Sequence, residues 1–347
     1  MSAGQTPTGE SHDVAISQIL GLQEKTAIQR LMSSQAFWVT IAVIAVGVVM
    51  TILQPQSFPT PENFYNITRN FSFIAILALG AATVIAVGEI DLSVGSIMGL
   101  VAVSCGLTLE AGYPATAAVA IGLAVGVLVG LVNGLLIAYA GISSFVVTLG
   151  MLSVARSLAV VLSGNRMIYQ FGDGGPPFKH LGGGALTLLG GFQLSNPLLF
   201  AAALTVVLAV VYKMTAWGQH IFAIGGNQQA ASLTGVPVKR IKVQVFVFSG
   251  VMAAFASILT VGWTGSAINA LGTSYELLAI SAAVIGGAKL IGGEASAYGA
   301  LVGAALIFII RNALLMAGVD SNWQGTFVGA FLVLAVYLGR FRGVVRD

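Results

Sequence analysis

Residues Ala115–Tyr139 read ATAAVAIGLAVGVLVGLVNGLLIAY, 25 residues without a charged side chain. A hydrocarbon core about 30 Å thick is crossed by roughly 20 apolar residues in a helix, so this stretch is a membrane span. Gly122, Gly126, Gly130 and Gly134 recur at every fourth position and share one helix face. A small-residue face lets helix backbones approach closely where lipid supplies no hydrophobic drive for association, so the stripe reads as packing and not as a site.

The rest of the chain has the same character. Hydrophobic residues make up 57% of its 347 positions and charged ones 8%, with a mean hydropathy of +0.94; soluble domains carry roughly 25% charged residues. The pattern predicts an all-α polytopic membrane protein with about ten spans, at 36–53, 71–88, 92–109, 115–139, 145–163, 197–212, 243–262, 277–291, 295–310 and 325–339. The sequence KLIGGEAS, at 289–296, makes either a tight turn or the tip of a re-entrant pair. No segment outside the spans is long enough for a core of its own. The organisation expected is therefore a tail over 1–35, a transmembrane domain over 36–340 with a polar loop at 213–242, and a tail over 341–347. The first tail lacks the basic start and short apolar core of a signal peptide and is expected to be retained and largely disordered, ending in a short helix near Ala15–Leu31.

Basic residues set the orientation. With the amino terminus inside, Lys25, Arg30, Lys213, Lys239, Arg240, Lys242, Lys289, Arg340, Arg342 and Arg346 are cytoplasmic, while Arg69, Arg166, Lys179 and Arg311 fall on the outer side. Both termini are then cytoplasmic, and Gly164–Asn196, rich in Gly and Pro, is an irregular outer lid or loop.

Catalytic signatures are missing: there is no G-x-x-x-x-G-K-[ST], H-E-x-x-H or G-x-S-x-G, and His12, His180 and His220 are scattered. The lone Cys105 lies in an apolar run and supports neither a disulfide framework nor a thiolate metal site. Asn66-Ile67-Thr68 matches a glycosylation sequon, a pattern too short to carry function. Nothing points to nucleic acid.

Three polar features interrupt the apolar background. In Gly88–Ser96, GEIDLSVGS, the carboxylates Glu89 and Asp91 stand at the end of a span. Asp91 either caps a helix starting near Leu92 or lines a hydrated pathway at a broken helix. Arg156 is the basic residue well inside a span; it must pair with an acid or carbonyl, snorkel, or face a polar substrate. Phe64, Tyr65, Phe71, Phe73, Trp263 and Trp323 form either an interfacial belt or faces on which a sugar can stack. The third feature is Gly225–Lys242, GGNQQAASLTGVPVKRIK, a polar basic island in the middle of the chain. Asn227 is a good cap for a two-turn helix over Gln228–Thr234 that Gly235 ends, and Pro237 begins a second short element carrying Lys239, Arg240 and Lys242. The basic triplet also suits anchorage to anionic lipid headgroups. A helix this short is marginal in water unless it docks on something.

Four segments, Ala81–Leu100, Asn133–Asn165, Phe222–Lys242 and Ile285–Ala304, together resemble the permease subunit of bacterial ATP-binding-cassette sugar importers of the ribose/xylose/arabinose/galactose type. The likeness covers essentially everything after residue 36. It implies a type II importer-like permease in the bacterial inner membrane, acting as a homodimer or a pair of like subunits. A periplasmic sugar-binding protein delivers the solute, and a cytoplasmic ATPase, which holds the ATP and Mg, drives it; this chain binds no cofactor. Carried over, the ATPase-docking helix falls on Asn227, Gln228, Ala230, Leu233, Thr234 and Gly235, flanked by Lys239 and Lys242. The translocation-path candidates are Phe71, Phe73, Glu89, Asp91, Ser93, Asn133 and Arg156. Two positions depart from the family pattern: Gly88-Glu89 replaces a pair of glycines, and GGEAS adds Glu294. An ion-coupled secondary transporter or channel, with Glu89, Asp91 or Glu276 as carriers, and a branched-chain amino-acid permease are the alternatives.

Overall fold

The computed structural model describes residues 32, 34–188, 192–320, 323, 325, 326, 329 and 330. The expected amino-terminal tail with its helix at 15–31, the tenth span at 325–339 and the carboxy-terminal tail lie wholly or largely outside the described residues. Within them, seven helices are long and apolar enough to cross a membrane and two more are apolar but shorter.

Helix α1 (Gln35–Leu53) begins where the Ser34 side chain accepts from the Phe37 amide. It lies at the edge of the bundle against α12 (Ala297–Met316), and the Gln35 amide donates to the Ile285 carbonyl at 2.9 Å. Helix α2 (Pro61–Ala86) is capped by Thr60, with Pro61 at its first position, and is buried almost without interruption from Phe71 onward. Hydropathy placed its start at residue 71 because PENFYNITRN is polar; the cap and proline extend it by ten residues. Helix α3 (Val94–Glu110) follows an extended break, and α4 (Ala115–Ala138) and α5 (Ser144–Ser163) complete the first half.

The glycine stripe of α4 does what its spacing predicts. A Cβ on Gly130 would stand 2.5 Å from the Phe246 carbonyl oxygen, and one on Gly134 would stand 2.7 Å from Cα of Val243. The partner is α10 (Val238–Thr264), and this is the most extensive helix pairing in the fold. α2 and α10 form the buried centre, with the other long helices around them.

The described residues between 164 and 196 are more ordered than an irregular lid. They hold α6 (Gly175–Gly183), whose Phe178 is fully buried, and an antiparallel hairpin of β1 (Ala185–Thr187) and β2 (Gln193–Ser195). Gly182 lets α6 lie directly on α10, where a Cβ would stand 2.6 Å from the Trp263 amide. The all-α expectation holds apart from this hairpin.

Helix α7 (Asn196–Met214) leads into α8 (Ala216–Gly226) and α9 (Gln228–Leu233). No separate short element follows Pro237: that residue caps α10, which runs unbroken for 27 residues, because nothing after it interrupts the helix. Helix α11 (Tyr275–Ile285) has 11 residues, about 16 Å, too short to cross a bilayer. The expected span 277–291 is cut at Ile285 because Gly286 and Gly287 follow, Gly287 at φ +107°. Non-helical backbone at 266–274 precedes α11 and packs against α3 and α5, the setting in which irregular chain is tolerated at membrane depth.

Candidate functional site

Asn227 serves two helices at once. Its amide donates to the Ala223 carbonyl at the end of α8, and its Oδ1 accepts from the Ala230 amide at 3.0 Å to open α9. Gly235, at φ +88°, closes α9 with its amide on the Ser232 carbonyl, and the Val236 amide reaches the Ala231 carbonyl. Ala231 is the residue of α9 that plugs into the body of the protein. Gln228, Ala230 and Thr234 are exposed, and Leu233 is 89% exposed, an apolar side chain held out at the tip of a polar loop.

Beneath α9, three reversals of the chain meet on glycine. A Cβ on Gly225 would collide with the Ala86 carbonyl and the Gly293 amide, which are themselves hydrogen-bonded at 2.9 Å. A Cβ on Gly292, at φ +91°, would stand 2.8 Å from the Gly225 carbonyl oxygen and 2.9 Å from the Gly88 amide. The end of α2, the end of α8 and the turn between α11 and α12 are thus packed backbone on backbone. Glu294, on that turn, pairs with Lys289 in solvent. Beside the junction the Glu89 carboxylate forms an ion pair with Lys242 in the first turns of α10, and both side chains are mostly buried. Lys242 is therefore no headgroup anchor.

Further along the break, Asp91 accepts from the Ser93 amide at 2.9 Å and the Ser93 hydroxyl at 2.6 Å through Oδ1, and from the Ser249 hydroxyl of α10 at 2.8 Å through Oδ2. Asn133 of α4 donates to Ser93 Oγ at 2.9 Å. All four residues are buried, and Asn133 Oδ1 has no partner among the described residues. The helix starts at Val94, two residues after Leu92, and its cap position is Ser93, which makes no side-chain cap bond. Asp91 takes the amide of Ser93, outside the helix, with one oxygen and the Ser249 hydroxyl of α10 with the other. It is a three-helix staple more than a cap.

Arg156 meets carbonyls. Its Nη1 donates to Asn269 at 2.6 Å and Leu271 at 3.0 Å, and Nη2 donates to Gly95 at 3.3 Å. Gly99 makes the room, since a Cβ there would stand 2.7 Å from Nη1. Phe71 and Phe73 are buried and form no belt; Phe73 stacks on Trp263 with centroids 6.0 Å apart. Phe64, Trp263 and Trp323 keep exposed surface.

A family model described as "Branched-chain amino acid transport system / permease component" matches residues 63–336. The chain belongs to this family. It is 38% identical over 303 residues to a probable ABC transporter permease protein of Sinorhizobium fredii, covering 87% of each chain. It is 32% identical to the ribose import permease protein of Haemophilus influenzae, covering 87% of this chain and 92% of that one. The autoinducer 2 import system permease protein of Photorhabdus temperata is 37% identical, with 78% and 80% covered. No solved structure matches.

In this permease, a transport component and not an enzyme, the two candidate sets meet at one pair. Glu89 from the path set and Lys242 from the docking set are in contact, while Asp91, Ser93 and Asn133 form the adjoining network. Phe71, Phe73 and Arg156 are not part of either cluster. Sequence reasoning missed Ser249, Gly225, Gly292 and Asn269. Ser249 carried a usable signal, a hydroxyl beside a glycine within the apolar run VFVFSGVMAAF.

Proposed function

We propose that this permease is the membrane subunit of an ATP-driven importer of a monosaccharide or a related polar solute. A separate ATPase docks on α9, a solute-binding protein delivers at the opposite end, and a second permease copy completes the path. The observation that carries the reading is α9 itself. A capped helix of six residues with Leu233 almost fully exposed is a surface finished only by a partner. The solute class follows from the relatives, which are named for ribose, galactose and autoinducer 2 import.

Transport on this reading needs no covalent chemistry in the permease. Moving a gate from 1:99 to 99:1 takes about 5.5 kcal/mol of differential free energy, which a docked helix transmits only through rigid connections. The glycine junction and the Glu89–Lys242 pair connect α8 and α10 to the break between α2 and α3, and to the turn before α12. Force on α9 therefore reaches the Asp91 network through packed backbone. Cytoplasmic placement of α9 follows from the distribution of Lys and Arg.

Reconstituted with its ATPase and binding protein, the permease should take up solute on ATP addition. Ala230→Arg, at an exposed position that leaves the fold alone, should abolish uptake and ATPase binding together. Uptake that persists without the ATPase, driven by an ion gradient, would overturn the proposal.

A further inference from the structure

The three basic residues that open α10 have three different fates. Lys242 pairs with Glu89, and Lys239 Nζ lies 5.5 Å from the ring centroid of Tyr139. Arg240 is exposed and has no partner among the described residues. A guanidinium in that position calls for an anion.

What lies next to it indicates which. Gln244 and Val247 follow Arg240 at i+4 and i+7, on the same helix face. They open a groove of about 500 Å³ between α7 and α10, walled by Leu204, Val207 and Val211 on one side and Val247 and Val251 on the other. Gln244, one helical turn from Arg240, is the polar aliphatic side chain among the lining residues. Trp217 of α8 packs edge-to-face on Phe248 at 5.9 Å and also lines the groove. Both walls belong to helices long and apolar enough to cross the membrane. The groove thus runs from hydrocarbon depth to a cation, with an indole along its wall, the side chain that settles at the headgroup level.

We propose that the groove between α7 and α10 lodges an acyl chain of an anionic phospholipid whose phosphate is held by Arg240. Arginine suits the task because its planar fork matches phosphate oxygens in pairs. The chain's own segment after residue 339 matches the charge of Arg240 poorly, since it carries Arg340, Arg342 and Arg346 with Asp347. The inference does not depend on which solute the permease moves. A lipid seated there braces α10 next to the docking helix.

The test uses the full-length permease in phosphatidylcholine nanodiscs, doped at equal mole fraction with phosphatidylglycerol or phosphatidylcholine bearing brominated chains. Bromine quenches indole on contact, and the Trp217 share is the difference between wild type and Trp217→Phe. Brominated phosphatidylglycerol should compete about fivefold better than brominated phosphatidylcholine, the preference expected of one cation at an anionic surface. Arg240→Gln should erase the preference, Arg240→Lys should keep most of it, and Val247→Phe, which fills the groove, should cut quenching by both lipids. Equal quenching in wild type, or a preference that survives Arg240→Gln, would overturn the proposal. Absence of Trp217 quenching would also overturn it, placing a second copy or the chain's own end in the groove.

Discussion

The Glu89 carboxylate and the Lys242 ammonium form an ion pair between positions 153 residues apart in sequence. One partner sits on the break between α2 and α3, the other in the second turn of α10, nine residues after the end of α9. Their side chains are only 15% and 13% exposed, so each charge depends on the other for solvation. Such a pair contributes little net stability relative to a well-packed apolar pair, but removing one member leaves a buried charge unpaired.

That asymmetry gives the first prediction. Glu89→Gln and Lys242→Met should each destabilise the permease by about 3 kcal/mol, and the double replacement Glu89→Met/Lys242→Met should recover most of the loss. Thermal unfolding of the purified variants checks this. A double variant as unstable as the two losses summed would mean that the residues do not act as a pair.

The glycine junction predicts a contrast between neighbours. Gly225→Ala puts a methyl group onto the Ala86 carbonyl and the Gly293 amide, whereas Gly226→Ala meets nothing within 4 Å. The first should cost about 1–3 kcal/mol through overpacking and should impair uptake. The second should be neutral or slightly stabilising, since alanine loses less backbone freedom than glycine in a helix. Melting curves of the two variants, side by side, decide it.

These residues also show what was legible in the chain. Span positions came through because hydropathy is a local property: Ala115–Ala138 and Ser144–Ser163 lie within a residue of expectation. Asn227 and Gly235 were readable because caps are local too. The start of α2 was hidden, since a cap and a proline, not hydropathy, decide it. Lys242 looked like a headgroup anchor because its partner is remote in sequence. The role of Gly225 and Gly292 is hidden for the same reason: it is set by chain that approaches from elsewhere.

The Asp91 network predicts a measurable coupling. Ser249→Ala removes the donor to Oδ2 and leaves a buried oxygen unsatisfied, at a cost of about 1–3 kcal/mol. Asn133→Leu removes the donor to Ser93 Oγ. Because both act through Ser93 and Asp91, the double variant should depart from additivity by more than about 0.5 kcal/mol, the limit for independent sites. Strict additivity in a double-mutant cycle would show that α4 and α10 are not tied through the break.

Arg156 gives the most direct test of how the non-helical segment before α11 is held. Its guanidinium binds the Asn269 and Leu271 carbonyls on that segment and Gly95 on α3, and a lysine cannot present a fork to all three. Hydrogen bonds to charged groups contribute about 1.5–3 kcal/mol each, so Arg156→Lys should lower the free energy of local opening by at least one such bond. A loss of about 2 kcal/mol raises the open population roughly 30-fold. The readout is the maleimide labelling rate of Leu271→Cys, at a half-buried position, and the native background is low because Cys105, the chain's one cysteine, is fully buried. Labelling should accelerate by an order of magnitude or more in Arg156→Lys over the otherwise wild-type chain. Equal rates would mean that packing against α3, not the guanidinium, holds 266–274 in place.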